Sequence, residues 1–112
     1  RNVINNENLL LFGRGEEKRD HIHINFLISV ILKAINSRSS GVFNVVSGKT
    51  VSFLNIAKKC IKFSRNKIKI KFLKRNGPLP HLGLRQFNNI KLKKKFKNLQ
   101  FSPIDIKLSE YL

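Results

Sequence analysis

A length of 112 residues supports one hydrophobic core, because a domain of this size buries roughly two-thirds of its unfolded surface, so a complete two-domain cofactor enzyme is excluded. The single cysteine, Cys60, excludes an internal disulfide and a multi-thiolate metal site, and it fits a reducing, cytoplasmic compartment. The 23 Lys and Arg against 6 Asp and Glu give a net charge of +17, a field that favours anionic partners. The same chain is rich in Lys, Asn, Ile and Phe and has no Trp or Met, a bias that mutational drift also produces, so charge alone does not assign a nucleic-acid partner.

The chain opens at Arg1 rather than Met, and Arg1-Asn2-Val3-Ile4-Asn5-Asn6 has neither a basic-then-apolar leader nor a small-residue cleavage site. The start is therefore read as a cut end. Leu9-Leu10-Leu11-Phe12, closed by Gly13-Arg14-Gly15, reads as a buried strand entering a turn. From Ile24, apolar residues at Leu27, Ile28, Ile31 and Ile35 follow the spacing of one helical face, with Asn25 placed as N-cap and Ser37-Arg38-Ser39-Ser40-Gly41 as terminator. The stretch from Ile22 to Ile35 is interrupted by His23, Asn25, Ser29 and Lys33 and falls short of the roughly 20 residues a bilayer span needs, so no membrane partner is expected.

Val42-Phe43-Asn44-Val45-Val46 is β-branched and stopped by Ser47-Gly48, which predicts a strand. Ser52 is placed to cap a second helix with Phe53, Ala57, Cys60 and Ile61 at helical spacing and Lys58 and Lys62 in water. Lys67 to Phe72 alternates strictly, predicting a strand with Ile68, Ile70 and Phe72 inward and Lys67, Lys69 and Lys71 outward. Two prolines and two glycines between Asn76 and Gly83 forbid regular structure and predict a shaped loop. Asn88 or Asn89 then caps a short helix with Leu92 and Phe96 inward and Lys91, Lys93, Lys94, Lys95 and Lys97 outward, and Ser102-Pro103 opens a last helix carrying Ile104, Leu108 and Tyr111 or Leu112.

Three of these segments, in this order, carry a family resemblance. Gly13-Arg14-Gly15-Glu16-Glu17-Lys18-Arg19-Asp20-His21-Ile22-His23-Ile24 is similar to a signature Gly-x-Gly, three residues, then Arg-Asp-aromatic-Ile-His-Val. Gly41-Val42-Phe43-Asn44-Val45-Val46-Ser47-Gly48 is similar to Gly-Val-Tyr-Asn-Val-Gly-Ser-Gly, and Arg85-Gln86-Phe87-Asn88-Asn89-Ile90-Lys91-Leu92 to Arg-x-Phe-Asp-x-x-Lys-Ala. The set resembles the carboxy-terminal, substrate-binding part of the NAD-dependent epimerase/dehydratases, the nucleotide-sugar branch of the extended short-chain dehydrogenases. The sequence departs from that pattern at Asn25 and Phe26, where the family has two acids, and at Val46, where it has Gly.

The resemblance implies that residues 1–112 form a small mixed α/β lobe closing over a sugar nucleotide, most of the Rossmann domain lying upstream. It implies that Arg19 binds the substrate diphosphate, helped by Arg75 or Arg85, a role that suits the planar donor fork of a guanidinium. Leu11 and Phe12 would offer backbone groups and a wall to the base. NAD would be held by the upstream domain, and the full-length enzyme would be a homodimer. No Gly-rich strand-to-helix turn is present, and the only tyrosine is Tyr111, so the chain has no Tyr-x-x-x-Lys pair and is not expected to catalyse alone.

Plainer readings stand beside these. Arg19 and Asp20 could make only a surface pair. His21 and His23 alternate on a strand and point to opposite faces, which favours structural roles over metal binding. His81 reads as a solvated loop histidine and Cys60 as a small hydrophobe. The lysines of 91–97, with Lys67, Lys69 and Lys71, define the alternatives: a basic polyanion or RNA-binding module, or a non-catalytic remnant of the enzyme.

Overall fold

A computed structural model describes residues 1–64 and 67–101 of the chain. Its elements are β1 (Leu9–Phe12), β2 (Lys18–Asp20), α1 (Ile24–Asn36), β3 (Thr50–Ser52), α2 (Phe53–Phe63), β4 (Ile70–Leu73), a 3-10 turn (Pro80–Gly83), β5 (Leu84–Arg85) and α3 (Ile90–Lys95). β1 and β4 pair in parallel, Leu9 opposite Ile70 and Phe12 opposite Leu73. In a second small sheet β2 lies between antiparallel β3 and parallel β5. This is the expected small mixed α/β lobe; the helix predicted after Pro103 lies outside the described residues.

The helices begin where local chemistry satisfies their first N–H groups. Ser52 accepts from the Asn55 N–H through its hydroxyl at the start of α2. At α1 the cap is His23, whose Nδ1 accepts from the Asn25 N–H, so Asn25 lies inside the helix rather than at its cap. At α3 both asparagines are used: Asn88 Oδ1 accepts from the Ile90 N–H at 2.7 Å, while the Asn89 amide donates to the Val46 and Ser47 carbonyls at 3.1 and 2.9 Å.

The core is built from Phe26, Val30, Leu92 and Phe96, with Ile22, Ala34, Phe43, Val45, Leu99 and Phe101 packed against it. Phe101 stacks on Phe26 with centroids 4.0 Å apart. α1 therefore buries the row Phe26-Val30-Ala34, not the face of Ile24, Ile28, Ile31 and Ile35, whose end members are 56 and 65 % exposed. Both rows have helical spacing, and the choice between them is made by packing against Leu92, Phe96 and Phe101.

Two strands differ from expectation. Residues 42–46 run without a strand partner among the described residues; Phe43 and Val45 turn into the core while the Val42 and Val46 carbonyls accept from Lys91 Nζ and Asn89. β4 starts at Ile70, so Ile68 is buried ahead of the ladder, and Phe72, expected inward, is exposed; among the described residues β1 is the only strand that pairs with β4. β1 is likewise half open, with Leu10 and Phe12 exposed. The whole is a slab of 47 × 34 × 16 Å with a radius of gyration of 16.6 Å. A self-contained globule of this length would have about 13 Å.

Candidate functional site

The Gly13-Arg14-Gly15 turn closes the end of β1 against the end of β4. Gly13 N–H donates to Leu73 O at 2.9 Å and Gly15 N–H to Phe12 O at 3.1 Å. Gly15 adopts φ +68°, and a Cβ there would stand 2.8 Å from Leu11 Cδ1 and 3.0 Å from Leu54 N, so only glycine lets the turn lie this close to α2. The turn joins two strands, opens no helix and is packed by the protein's own side chains. Gly13 and Gly15 do not fit a dinucleotide cradle.

Beyond the turn, Glu17 is drawn inward and is 8 % exposed. Its carbonyl accepts from Phe53 N–H at the start of α2. One carboxylate oxygen accepts from Arg19 Nη2 at 2.8 Å and the other from Arg75 Nη2. Two guanidiniums share one carboxylate, leaving one positive charge over. Arg19 Nη1 also donates to Lys18 O at 2.9 Å, Arg75 Nη2 reaches Phe12 O at 3.5 Å, and Arg75 Nε is buried without a hydrogen-bond partner. Beside this triad lies a cleft of about 330 Å³ lined by Leu10, Leu11, Phe12, Gly15, Phe53, Arg75 and Glu17 itself.

Of the residues singled out in the sequence, Leu11, Phe12 and Arg75 thus meet at one cleft, and Arg19 joins them through Glu17. Arg85 stands opposite Arg19 in the β2–β5 register but is exposed, lies over the Phe87 ring at 5.4 Å and does not line the cleft. Glu17 was not singled out in the sequence; it stands one residue before β2 and two before Arg19, close enough for the two side chains to pair.

The neighbouring Asp20 makes no pair with Arg19. Its oxygens accept from Ser47 N–H at 2.9 Å and Gly48 N–H at 2.7 Å, tying the Arg-Asp motif to the Ser-Gly motif. His21 stands edge-on to Phe53 at 5.9 Å with Nε2 buried and unpartnered, and burial holds its pKa below the ordinary value. His81 is exposed on the 3-10 turn. Cys60 is half-buried on α2, where burial raises its thiol pKa and so disfavours the thiolate. Among the described residues no group of three or more His, Cys, Asp or Glu is placed to hold a metal ion, and no helix is long and apolar enough to cross a membrane.

No protein-family model matches the sequence. Solved structures do match its fold. A UDP-N-acetylglucosamine 4-epimerase from Methanobrevibacter ruminantium M1, in complex with UDP-N-acetylmuramic acid, superposes on 96 % of the chain with a TM-score of 0.81 at 22 % identity. A dTDP-glucose 4,6-dehydratase from Bacillus anthracis in complex with NAD covers 97 % with a TM-score of 0.80 at 19 % identity. The Bordetella bronchiseptica enzyme WbmH in complex with NAD+ covers 96 % with a TM-score of 0.71 at 12 % identity. In each case the chain spans 34 % of the other protein's length.

Proposed function

We propose that this chain is the substrate-gripping lobe of an NAD-dependent nucleotide-sugar epimerase or dehydratase, in which Arg19 and Arg75 bind the substrate diphosphate and Leu11 and Phe12 wall the cleft for the base. The observation that carries this reading is the convergence of Arg19 and Arg75 on one carboxylate at the edge of an apolar cleft, a surplus of one positive charge beside a surface suited to a planar ring. The matched structures support this substrate class, since two of them are named for nucleotide sugars and two hold NAD. Arg85 takes no part in this reading, being turned onto Phe87.

In the same reading NAD sits in a preceding nucleotide-binding domain, because Gly13 and Gly15 pack against this lobe's own side chains. The NAD-binding domain supplies hydride transfer, and the present residues orient the nucleotide end of the substrate. The surface for that domain is the exposed apolar row Ile24, Ile28, Ile31 and Ile35 of α1 with segment 42–46, which has no strand partner among the described residues, on a slab only 16 Å thick.

The test is titration of UDP and dTDP into the full-length polypeptide and its Arg19→Ala and Arg75→Ala variants. Loss of a guanidinium from a phosphate site should weaken binding about 10- to 100-fold. Unchanged affinity in both variants would sink the reading. A second reading, a polyanion-binding face, draws on a cleft of about 430 Å³ lined by Arg38, Ser39, Ser40, Phe43, Lys91, Lys94 and Lys95. It predicts affinity for RNA that falls steeply with salt and ignores Arg19.

A further inference from the structure

We infer that Glu17 is the positioning residue of the diphosphate site, its buried carboxylate holding Arg19 and Arg75 side by side as one anion-binding fork; the inference rests on the function proposed above. Glu17 has little freedom to do anything else. It is 8 % exposed, its carbonyl is fixed by the Phe53 N–H, and the packed Gly15 turn precedes it. The two arginines come from separate parts of the chain, β2 and the segment after β4, and their side chains are only 21 and 20 % exposed. Without an anion between them, two nearly buried like charges would repel and swing apart.

The donor inventory shows that the fork stays open for a ligand. A guanidinium carries five N–H donors. Arg19 spends Nη2 on Glu17 and Nη1 on Lys18 O. Arg75 spends Nη2 on Glu17 and Phe12 O, and its Nε–H is buried, which leaves Nη1 as the group for a ligand to meet. Glu17 therefore sets the spacing and tilt of both groups without saturating either, and the leftover positive charge suits a phosphate group. Glutamine at this position would keep the shape but not the function. Its amide oxygen could accept from one arginine, while its NH2 would face the other donor to donor.

The experiment uses the full-length polypeptide, with UDP and dTDP followed by calorimetry and uridine and thymidine followed by NMR. Glu17→Gln is expected to weaken the diphosphates about 10-fold or more and leave the nucleosides within about twofold. In an Arg75→Ala background the same substitution should cost much less, because its effect travels through that arginine. A carboxylate with a merely structural role would weaken nucleoside and diphosphate alike and add independently to Arg75→Ala. Either of those results, or diphosphate binding unchanged or tightened in Glu17→Gln, overturns the inference. If Glu17→Gln fails to fold, Glu17→Asp keeps the charge but is one methylene too short to reach both arginines, and it must give the same selective loss. Arg19→Ala and Arg75→Ala with normal UDP and dTDP affinity would overturn the proposed function itself, a different outcome from normal affinity in the Glu17 variants alone.

Discussion

The Asp20 carboxylate accepts the backbone N–H of Gly48 at 2.7 Å, with the Ser47 N–H on its other oxygen at 2.9 Å. Gly48 has φ +82°, and a Cβ on it would meet the Asn89 amide nitrogen at 3.0 Å. Asn89 in turn holds the Val46 and Ser47 carbonyls. One aspartate and one asparagine thus fasten the turn after segment 42–46 to β2 on one side and to α3 on the other.

Removing Asp20 should therefore cost stability rather than ligand contacts. Asp20→Ala leaves two part-buried N–H groups without acceptors, a loss of about 2 kcal/mol or more, whereas Asp20→Asn keeps one acceptor and should lose less. Denaturant unfolding midpoints measure the order, and faster amide exchange at Ser47 and Gly48 localises it. Equal midpoints for Asp20→Ala and the native chain would mean that the clasp carries no stability.

The glycines give a graded series. Gly15→Ala combines a positive φ with contact at 2.8 Å to Leu11, whereas Gly77→Ala has a positive φ of +93° and nothing within 4 Å. Left-handed backbone alone costs about 1–2 kcal/mol, and overpacking adds about 1–3. Gly15→Ala should be the more destabilising of the two by thermal melting, and it should also narrow the cleft that Gly15 lines.

Local features were readable from the chain. The Ser52 cap, the inward Leu92 and Phe96, and the strand Leu9–Phe12 all follow from a few adjacent residues and are present, though that strand, expected buried, leaves Leu10 and Phe12 exposed. What needed a partner was not readable. α1 has two apolar rows, and only the packing of Leu92, Phe96, Phe101 and their neighbours decides that Phe26 and Val30 are buried. The β-branched run 42–46 is strand-like in composition, but a strand needs a neighbour, and none stands beside it among the described residues. At the candidate site Arg19, Arg75, Leu11 and Phe12 were named from the family resemblance. Glu17 escaped because an acid beside a glycine turn looks solvated until Arg75 arrives from the segment after β4.

His21 makes stability depend on pH. Burial holds its imidazole below the ordinary value of 6.5, Asp20 partly offsetting this and Arg19 adding to it. Between the folded value and 6.5 the unfolded chain binds more protons, so this contribution is fully present above 6.5 and is lost as pH falls through that window. Glu16 is held below its ordinary 4.5 by hydrogen bonds from its own and the Arg14 N–H groups, so its loss comes at more acidic pH. Urea midpoints should drop as pH falls below 6.5, and His21→Phe, which keeps an edge toward Phe53, should flatten that drop. An equally steep profile in His21→Phe would assign the effect to another group.

The two faces of α1 should respond oppositely to substitution, depending on what surrounds the helix. In the 112-residue chain Phe26→Ala removes a ring that is 6 % exposed and stacked on Phe101, a cost of about 3–5 kcal/mol. Ile31→Lys alters a side chain that is 47 % exposed and should cost little there while improving solubility. In the full-length polypeptide the proposed docking of a preceding domain would bury Ile28, Ile31 and Ile35. The lysine would then carry an uncompensated charge into an apolar contact, and stability should fall by several kcal/mol. Paired melting curves of Ile31→Lys in both contexts read this directly. A neutral substitution in both would mean that the face of Ile28, Ile31 and Ile35 stays in water and that the preceding domain, if it docks on this lobe, does so elsewhere.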